Sequence, residues 1–199
     1  YAEIISVFIT SHINKEVLDE FKNLKIIAAR STGVNHINLE ECLEHDVAVV
    51  NVSQYGEKSV VEYTLGLIIS LVRKIVPAVL DMKNLQNHSQ KYVGHDLEAL
   101  TLGVIGTGVI GSRMCEIANF INMKVLAYDL KPKDELTQKF NVEYVDFENL
   151  IKTADIITIH VPYHDENYHM ISKKELAMMK PTAYLINTSR GELVDTNAL

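Results

Sequence analysis

Cysteine is scarce in this sequence. Only Cys42 and Cys115 occur among 199 residues, and no C-x-x-C pair or Cys/His ligand spacing surrounds them, so neither a disulfide framework nor a zinc site is indicated. His88 and His95 likewise lack carboxylate or cysteine partners at ligand spacing, so they read as solvent-exposed histidines and no metal is expected. Basic residues are outnumbered: 26 acidic against 19 lysines and arginines leave a formal charge of −7, which argues against general nucleic-acid binding. No apolar run is long enough to span a bilayer. The longest, Tyr63 to Val72, is interrupted by Gly66 and Ser70 and flanked by Glu62 and Arg73, and reads as a buried helix. No basic-then-apolar signal pattern opens the chain, and with the reduced cysteines this makes the cytoplasm the expected setting. Internal repeats and low-complexity stretches are absent too.

What is present is an ordinary globular composition, 47% hydrophobic and 23% charged, in a strand-helix alternation. Strands are expected at Ala2 to Ile9, Lys25 to Ala29 and Val47 to Val52, with helices from Asn14 and from Leu39 between them. The nearly continuous apolar run Val47 to Val52 predicts a parallel strand covered on both faces. After the break at Ser53-Gln54-Tyr55-Gly56, a long helix is expected from about Lys58 through Arg73 toward Pro77. The polar stretch Asp81 to Gly94 is the best domain crossing, which places the expected domains at 1–95 and 96–199. Beyond it, strands at Leu102 to Gly106, Lys124 to Asp129, Val142 to Val145, Asp155 to His160 and Thr182 to Asn187 are interleaved with helices at Val109 to Asn122, Glu148 to Thr153 and Lys173 to Met179, with none expected between Asp129 and Val142, as in a doubly wound parallel sheet.

Gly106, Gly108 and Gly111 have G-x-G-x-x-G spacing at a strand-to-helix turn. The first glycine makes the turn, the second admits a pyrophosphate and the third allows close helix-strand packing, while the N–H groups opening the next helix favour an anion. Asp129 stands 18 positions beyond Gly111 at the end of the following strand, near the roughly 20 residues at which an acid reaches an adenosine ribose. A carboxylate there favours NAD and repels the extra phosphate of NADP, although Lys131 and Lys133 nearby soften that discrimination. The same aspartate also reads as a cap before Lys131-Pro132. His160-Val161-Pro162 and Asn187-Thr188-Ser189-Arg190-Gly191 follow later strands at the carboxyl ends where open α/β sheets bind ligands. Arg190 can hold a carboxylate through two parallel bonds, or sit on a solvated turn. His160 ends an apolar strand and reads as a packed or a backbone-satisfied histidine rather than a general acid. The loop Arg30 to Asn35 reads as an exposed set of backbone donors or as an ordinary turn, and Tyr55 as a site residue or a packed surface aromatic.

Taken together, these segments resemble the D-isomer-specific 2-hydroxyacid dehydrogenases, and within them the D-lactate dehydrogenase branch. The likeness is carried by Arg30 to Asn35, Asn51 to Tyr55, Val60-Val61-Glu62, the glycine turn, Tyr128-Asp129, His160-Val161-Pro162 with Asn167 and His169-Met170-Ile171, and Asn187 to Gly191 with Leu193-Val194-Asp195. It implies an incomplete Rossmann-type doubly wound sheet plus a partial flavodoxin-like α/β substrate domain. It implies NAD as cofactor, a small 2-keto or 2-hydroxy acid as substrate, and a homodimer in the full-length protein, with no nucleic-acid or membrane partner. Arg190 would be the catalytic arginine, the amides around Thr32 and Gly33 would hold the substrate carboxylate, and Tyr55 would close the pocket. Val109 and Ile110 would contact the pyrophosphate beside Gly106, Gly108 and Gly111, Asp129 the ribose, and Val161, Pro162, Asn167, Thr188 and Ser189 the nicotinamide half.

The sequence also departs from the family pattern. Thr32 replaces a usual aliphatic residue and Ser53 a common proline, changes that bear on substrate preference. Family members carry a further strand and helix before the region matching Tyr1 and a segment after Leu199 holding a Glu and His proton donor-acceptor pair. The resemblance therefore implies an exposed sheet edge, apolar helix faces and no completed turnover by these residues alone, and it gives His160, His164 and His169 no part in proton transfer. Pyruvate and D-lactate are the expected pair, with glyoxylate, hydroxypyruvate or bulkier 2-keto acids as the near alternative. An NAD-sensing corepressor-like scaffold is the alternative of another class.

Overall fold

A computed structural model describes residues 2–53, 55–83 and 92–199. Gln54 and the polar cluster of the expected domain crossing, including Asn84, Gln86, Asn87, His88, Ser89 and Gln90, lie outside the described residues. The chain divides into two compact units, Tyr1–Glu57 and Lys58–Leu199. Among the described residues no helix is long and apolar enough to cross a membrane.

The first unit runs β1 (Ile4–Val7), α1 (Lys15–Glu20), β2 (Ile26–Ala29), α2 (Leu39–Glu44), β3 (Ala48–Asn51). Its three strands are parallel in the order β1-β2-β3. Both helices are only six residues long, too short to hold themselves, and each is started by an asparagine. Asn14 Oδ1 accepts from the N–H of Val17, and Asn38 Oδ1 from those of Glu40 and Glu41. The in-register residues Val7 and Ala29 share a buried sheet face, with Ile27 also on it and Leu18 and Cys42 packed into the same cluster. The opposite face is open among the described residues: Val50, expected to be covered on both sides, is 50% exposed and Val52 is 45% exposed. The reason is that β3 ends the sheet, and α1 and α2 pack on one face only.

The second unit opens with α3 (Glu57–Val72) and α4 (Ile75–Lys83). What the sequence suggests as one helix is broken at Lys74, whose φ of 53° no helix accommodates, and Pro77 falls in the first turn of α4, where a missing N–H costs nothing. Residues 61, 64, 68 and 72 of α3 are buried at helical spacing, and Val61, Ile68 and Val72 enter the same core as β4 and α5 below. By packing, the long helix belongs to the second unit, so the contact division falls after Glu57 rather than near residue 95.

The unit continues β4 (Thr101–Ile105), α5 (Val109–Phe120), β5 (Lys124–Tyr128), α6 (Asp134–Phe140), β6 (Glu143–Tyr144), α7 (Phe147–Thr153), β7 (Ile156–Ile159), α8 (Lys173–Met178) and β8 (Tyr184–Asn187). All strands are parallel in the order β6-β5-β4-β7-β8. One face packs Val104, Val125 and Ala127 against α3 and α5; the other packs Ile105, Leu126 and Ile157 against α7. A doubly wound sheet results. Its strand order reverses between β4 and β7, and ligands of such sheets bind outside the carboxyl ends at that switch point.

Candidate functional site

Each glycine after β4 meets a different demand. Gly106 adopts φ +88°, and a Cβ there would lie 2.6 Å from Val161 Cγ1 and 2.9 Å from the His160 carbonyl, so only glycine fits between the ends of β4 and β7. A Cβ on Gly111 would lie 1.8 Å from the Gly106 carbonyl oxygen, which locks the first turn of α5 against the end of β4. Around Gly108 nothing stands within 4 Å of a Cβ position. Packing therefore does not require the middle glycine; it leaves open space over a helix start that no side chain caps. Val109 is exposed there and Ile110 half-buried.

The turn is braced from below by polar side chains. Asp129, one residue past β5, accepts through Oδ2 from Thr107 N at 2.6 Å and Thr107 Oγ1 at 2.9 Å, and through Oδ1 from Lys131 N at 2.8 Å. Burial pushes its pKa up, but the Lys131 and Thr107 donors and the Lys133 charge outweigh burial and hold the carboxyl below its usual range. Tyr144 Oη, on β6, donates to Thr107 Oγ1 and accepts from Lys133 N, while Lys133 Nζ donates to Ser112 Oγ at 2.9 Å and Ser112 Oγ donates to Thr107 O. A closed ring of hydrogen bonds thus ties β5, β6 and α5 to the glycine turn. Sequence reading singled out Asp129 but missed Thr107, Ser112 and Tyr144. Thr107 occupies an unspecified place within the glycine motif, and Tyr144 comes from an edge strand of two residues.

Beside the turn, a cavity of about 550 Å³ opens near the ends of β5 and β7, lined mainly by Tyr128, Leu130, Phe147, Val161 and Met170. Asn167 belongs to its wall and braces the loop after β7, donating to Pro162 O at 2.8 Å and accepting from His164 N at 2.9 Å. His160 N donates to Ile105 O, but neither ring nitrogen of His160 has a partner among the described residues. The ring is packed as expected yet not satisfied, and burial pushes its pKa down to about 4, so it is neutral at pH 7.

β8 delivers the arginine loop. Asn187 turns it, donating to Arg190 O at 2.6 Å and accepting from Ser189 N at 3.0 Å, while Ser189 Oγ donates to Ile159 O of β7. The Thr188 hydroxyl lies 2.9 Å from that of fully buried Thr64 on α3, a contact invisible in sequence across 124 positions. Arg190 itself is exposed, and its recorded side-chain bond is to the carbonyl of Ser189. Gly106, Gly108, Val109, Ile110, Gly111, Asp129, Val161, Pro162 and Asn167 thus gather at the carboxyl ends of β4, β5 and β7, with Thr188, Ser189 and Arg190 at the neighbouring strand end.

Thr32, Gly33 and Tyr55 belong to the first unit. Ser31 Oγ donates to Gly33 O at 2.8 Å and Asn51 Nδ2 to Thr32 O at 2.7 Å, so side chains hold the loop through its carbonyls, and the N–H groups of Thr32 and Gly33 have no acceptor among the described residues. Thr32 is exposed and Tyr55 is 65% exposed. The described residues contain no cluster of histidine, cysteine and carboxylate able to hold a metal.

Comparison with known proteins agrees with this geometry. The chain is 36% identical over 204 residues to a glyoxylate reductase of Thermococcus litoralis, covering 99% of this chain and 62% of that protein. It is 40% identical over 199 residues to an aromatic 2-oxoacid reductase of Clostridium sporogenes, covering 98% and 59%. Among solved structures, D-lactate dehydrogenase from Aquifex aeolicus in complex with NAD and lactic acid superposes with a TM-score of 0.93 at 39% identity, covering 99% of this chain and 59% of that one. The chain therefore spans about three fifths of the length of these relatives. A family model described as D-isomer specific 2-hydroxyacid dehydrogenase, NAD binding domain, matches residues 65–199, the doubly wound unit almost whole, and the chain belongs to that family.

Proposed function

We propose that these residues form the coenzyme site and part of the substrate site of an NAD-dependent D-2-hydroxyacid dehydrogenase that reduces a small 2-keto acid, pyruvate to D-lactate foremost. The observation that carries the reading is the open space at Gly108 above the uncapped start of α5, between two glycines that packing does require. A pyrophosphate there would take the N–H groups of Val109 and Ile110. Asp129 has an acceptor position left for a ribose hydroxyl, and the apolar cavity beside Tyr128 and Val161 has the size and lining for an adenine. The nicotinamide of the bound coenzyme would supply the hydride. Thr188, Ser189 and the loop braced by Asn167 would position that half of it.

The chain's own contribution to the reaction is electrostatic. Arg190, exposed and turned by Asn187, offers a planar fork that can hold the keto acid's carboxylate and draw electron density from its carbonyl as negative charge develops on oxygen. In the first unit, the N–H groups of Thr32 and Gly33 and the side chain of Tyr55 are the groups proposed to bind substrate. The relatives' names span lactate, glyoxylate and aromatic 2-oxo acids; pyruvate is preferred on the strength of the lactate dehydrogenase superposition. Homodimerisation and a cytoplasmic setting belong to the same proposal. A panel of pyruvate, glyoxylate, hydroxypyruvate and phenylpyruvate, assayed with NADH on the full-length protein, tests it. Highest kcat/KM on pyruvate is expected, and preference for any of the others overturns the substrate assignment.

A further inference from the structure

We infer that Thr64 is a positioning residue for the arginine loop: from the buried face of α3 it fixes the Thr188 hydroxyl, and through Thr188 the placement of Arg190. The inference rests on the role given to Arg190 above and deepens it.

Thr64 is out of place by the rules that build α3. The helix turns residues 61, 64, 68 and 72 inward, and the other three are Val61, Ile68 and Val72, members of the core shared with β4 and α5. Valine suits that face better, since a fully buried hydroxyl costs free energy unless it is hydrogen-bonded. Thr64 is bonded, and in one direction. Its Oγ1 lies 2.8 Å from the Val60 carbonyl oxygen, which can only accept, so the single hydroxyl proton of Thr64 goes there. The 2.9 Å contact with Thr188 Oγ1 is therefore donated by Thr188. A directed chain runs from Thr188 to Thr64 to Val60 O.

That chain completes the fastening of the loop. Asn187 Nδ2 donates to Arg190 O, and Ser189 Oγ donates to Ile159 O at the end of β7. Between them Thr188 supplies a tether of another kind, reaching from the sheet to a helix packed on one of its faces. Three successive side chains thus hold the backbone that presents Arg190. The arginine is exposed, and its guanidinium bonds to the carbonyl of Ser189 within the same loop, so its placement is set by the tethers of that loop. With its proton committed to Thr64, the half-buried Thr188 hydroxyl faces a ligand as an acceptor alone. Removing the Thr64 oxygen frees that hydroxyl to rotate and leaves the loop on two tethers.

The test measures NADH-dependent reduction of the best keto acid of the panel above by the full-length protein and its Thr64→Val, Thr64→Ser, Thr188→Val and Thr64→Val/Thr188→Val variants. Valine keeps the volume of threonine and loses the hydroxyl. The expected result is kcat/KM for the keto acid about tenfold lower in Thr64→Val, with NADH affinity changed less than about twofold, and recovery to within about twofold of the parent in Thr64→Ser. Added to Thr188→Val, the Thr64→Val change should lower kcat/KM by less than about a further twofold, because its route to the loop is already cut. A merely structural role does not produce that loss of effect. A Thr64→Val variant with parental kcat/KM overturns the inference, as does one equally impaired in the Thr188→Val background, one rescued by no serine, or one that weakens NADH binding as much as turnover. If Thr64→Val does not fold, Thr188→Val and Thr188→Ser decide: valine is expected to cost about tenfold in kcat/KM and serine less than about twofold, and a fully active Thr188→Val overturns the inference. A parent that reduces none of the keto acids brings down the reading of Arg190 together with it.

Discussion

Gly108 and Gly111 stand three positions apart and make opposite predictions. Alanine at 111 must displace the Gly106 carbonyl, prying α5 from β4 at a cost of about 3 kcal/mol, whereas alanine at 108 enters open space and costs no more than about 1 kcal/mol as a poorer helix start. Urea unfolding checks both values. Gly108→Ala is expected to fold and yet lose at least about tenfold in NADH affinity, because the methyl occupies the approach of the pyrophosphate. His160 carries a second prediction. Its pKa is about 4 in the folded protein against 6.5 for an unperturbed histidine, so between those values the unfolded chain binds the extra proton and stability rises with pH. That contribution is complete above pH 6.5 and fades toward pH 4, by up to about 3 kcal/mol. Urea midpoints across this range should fall less steeply in His160→Phe than in the parent; parallel slopes would contradict the assignment.

At the level of elements, the glycine turn depends on parts remote in sequence. The two-residue strand β6 matters because it brings the Tyr144 hydroxyl between Thr107 and Lys133. Tyr144→Phe removes that link and should lower stability by about 1 kcal/mol, a shift in thermal midpoint readable by circular dichroism. The elements that sequence alone revealed are those with a strong period: the apolar strands β4, β5 and β7, buried on both faces, and α5 behind its glycines. Helix α6 escaped because it buries only Leu136 and opens directly after Lys131-Pro132-Lys133, a stretch that reads as a turn. The run before Ser53 looked like a covered strand because apolar content does not reveal whether a second layer is present. The long helix α3 was legible as a helix, but its four buried positions do not say which sheet they face, and the expected boundary near residue 95 rested on the polar stretch Asp81 to Gly94 instead. Candidate site residues stand out in sequence where a motif singles them out, as at Gly106, Asp129 and Arg190. Thr64 and Tyr144 were not, since a hydroxyl's partner lies far along the chain.

The whole molecule hides both of its cysteines. Cys42 lies in the core of the first unit and Cys115 in that of the second, where burial pushes its thiol up to about 12. Neither should react with a thiol reagent in the native state at pH 8, and both should react in denaturant; prompt labelling of one would identify the unit that opens first. The two units differ in completeness. The second has a core on each side of its sheet, whereas the first leaves Ile4, Val50 and Val52 exposed on its strands. Coenzyme binding is therefore assigned to the second unit, which holds the turn, Asp129 and the apolar cavity together. The direct measurement is calorimetric titration of the folded 199-residue chain with NADH. Saturable binding at one site per chain, displaced by ADP, is the predicted result. A chain that melts cooperatively but takes up no NADH would contradict the central claim.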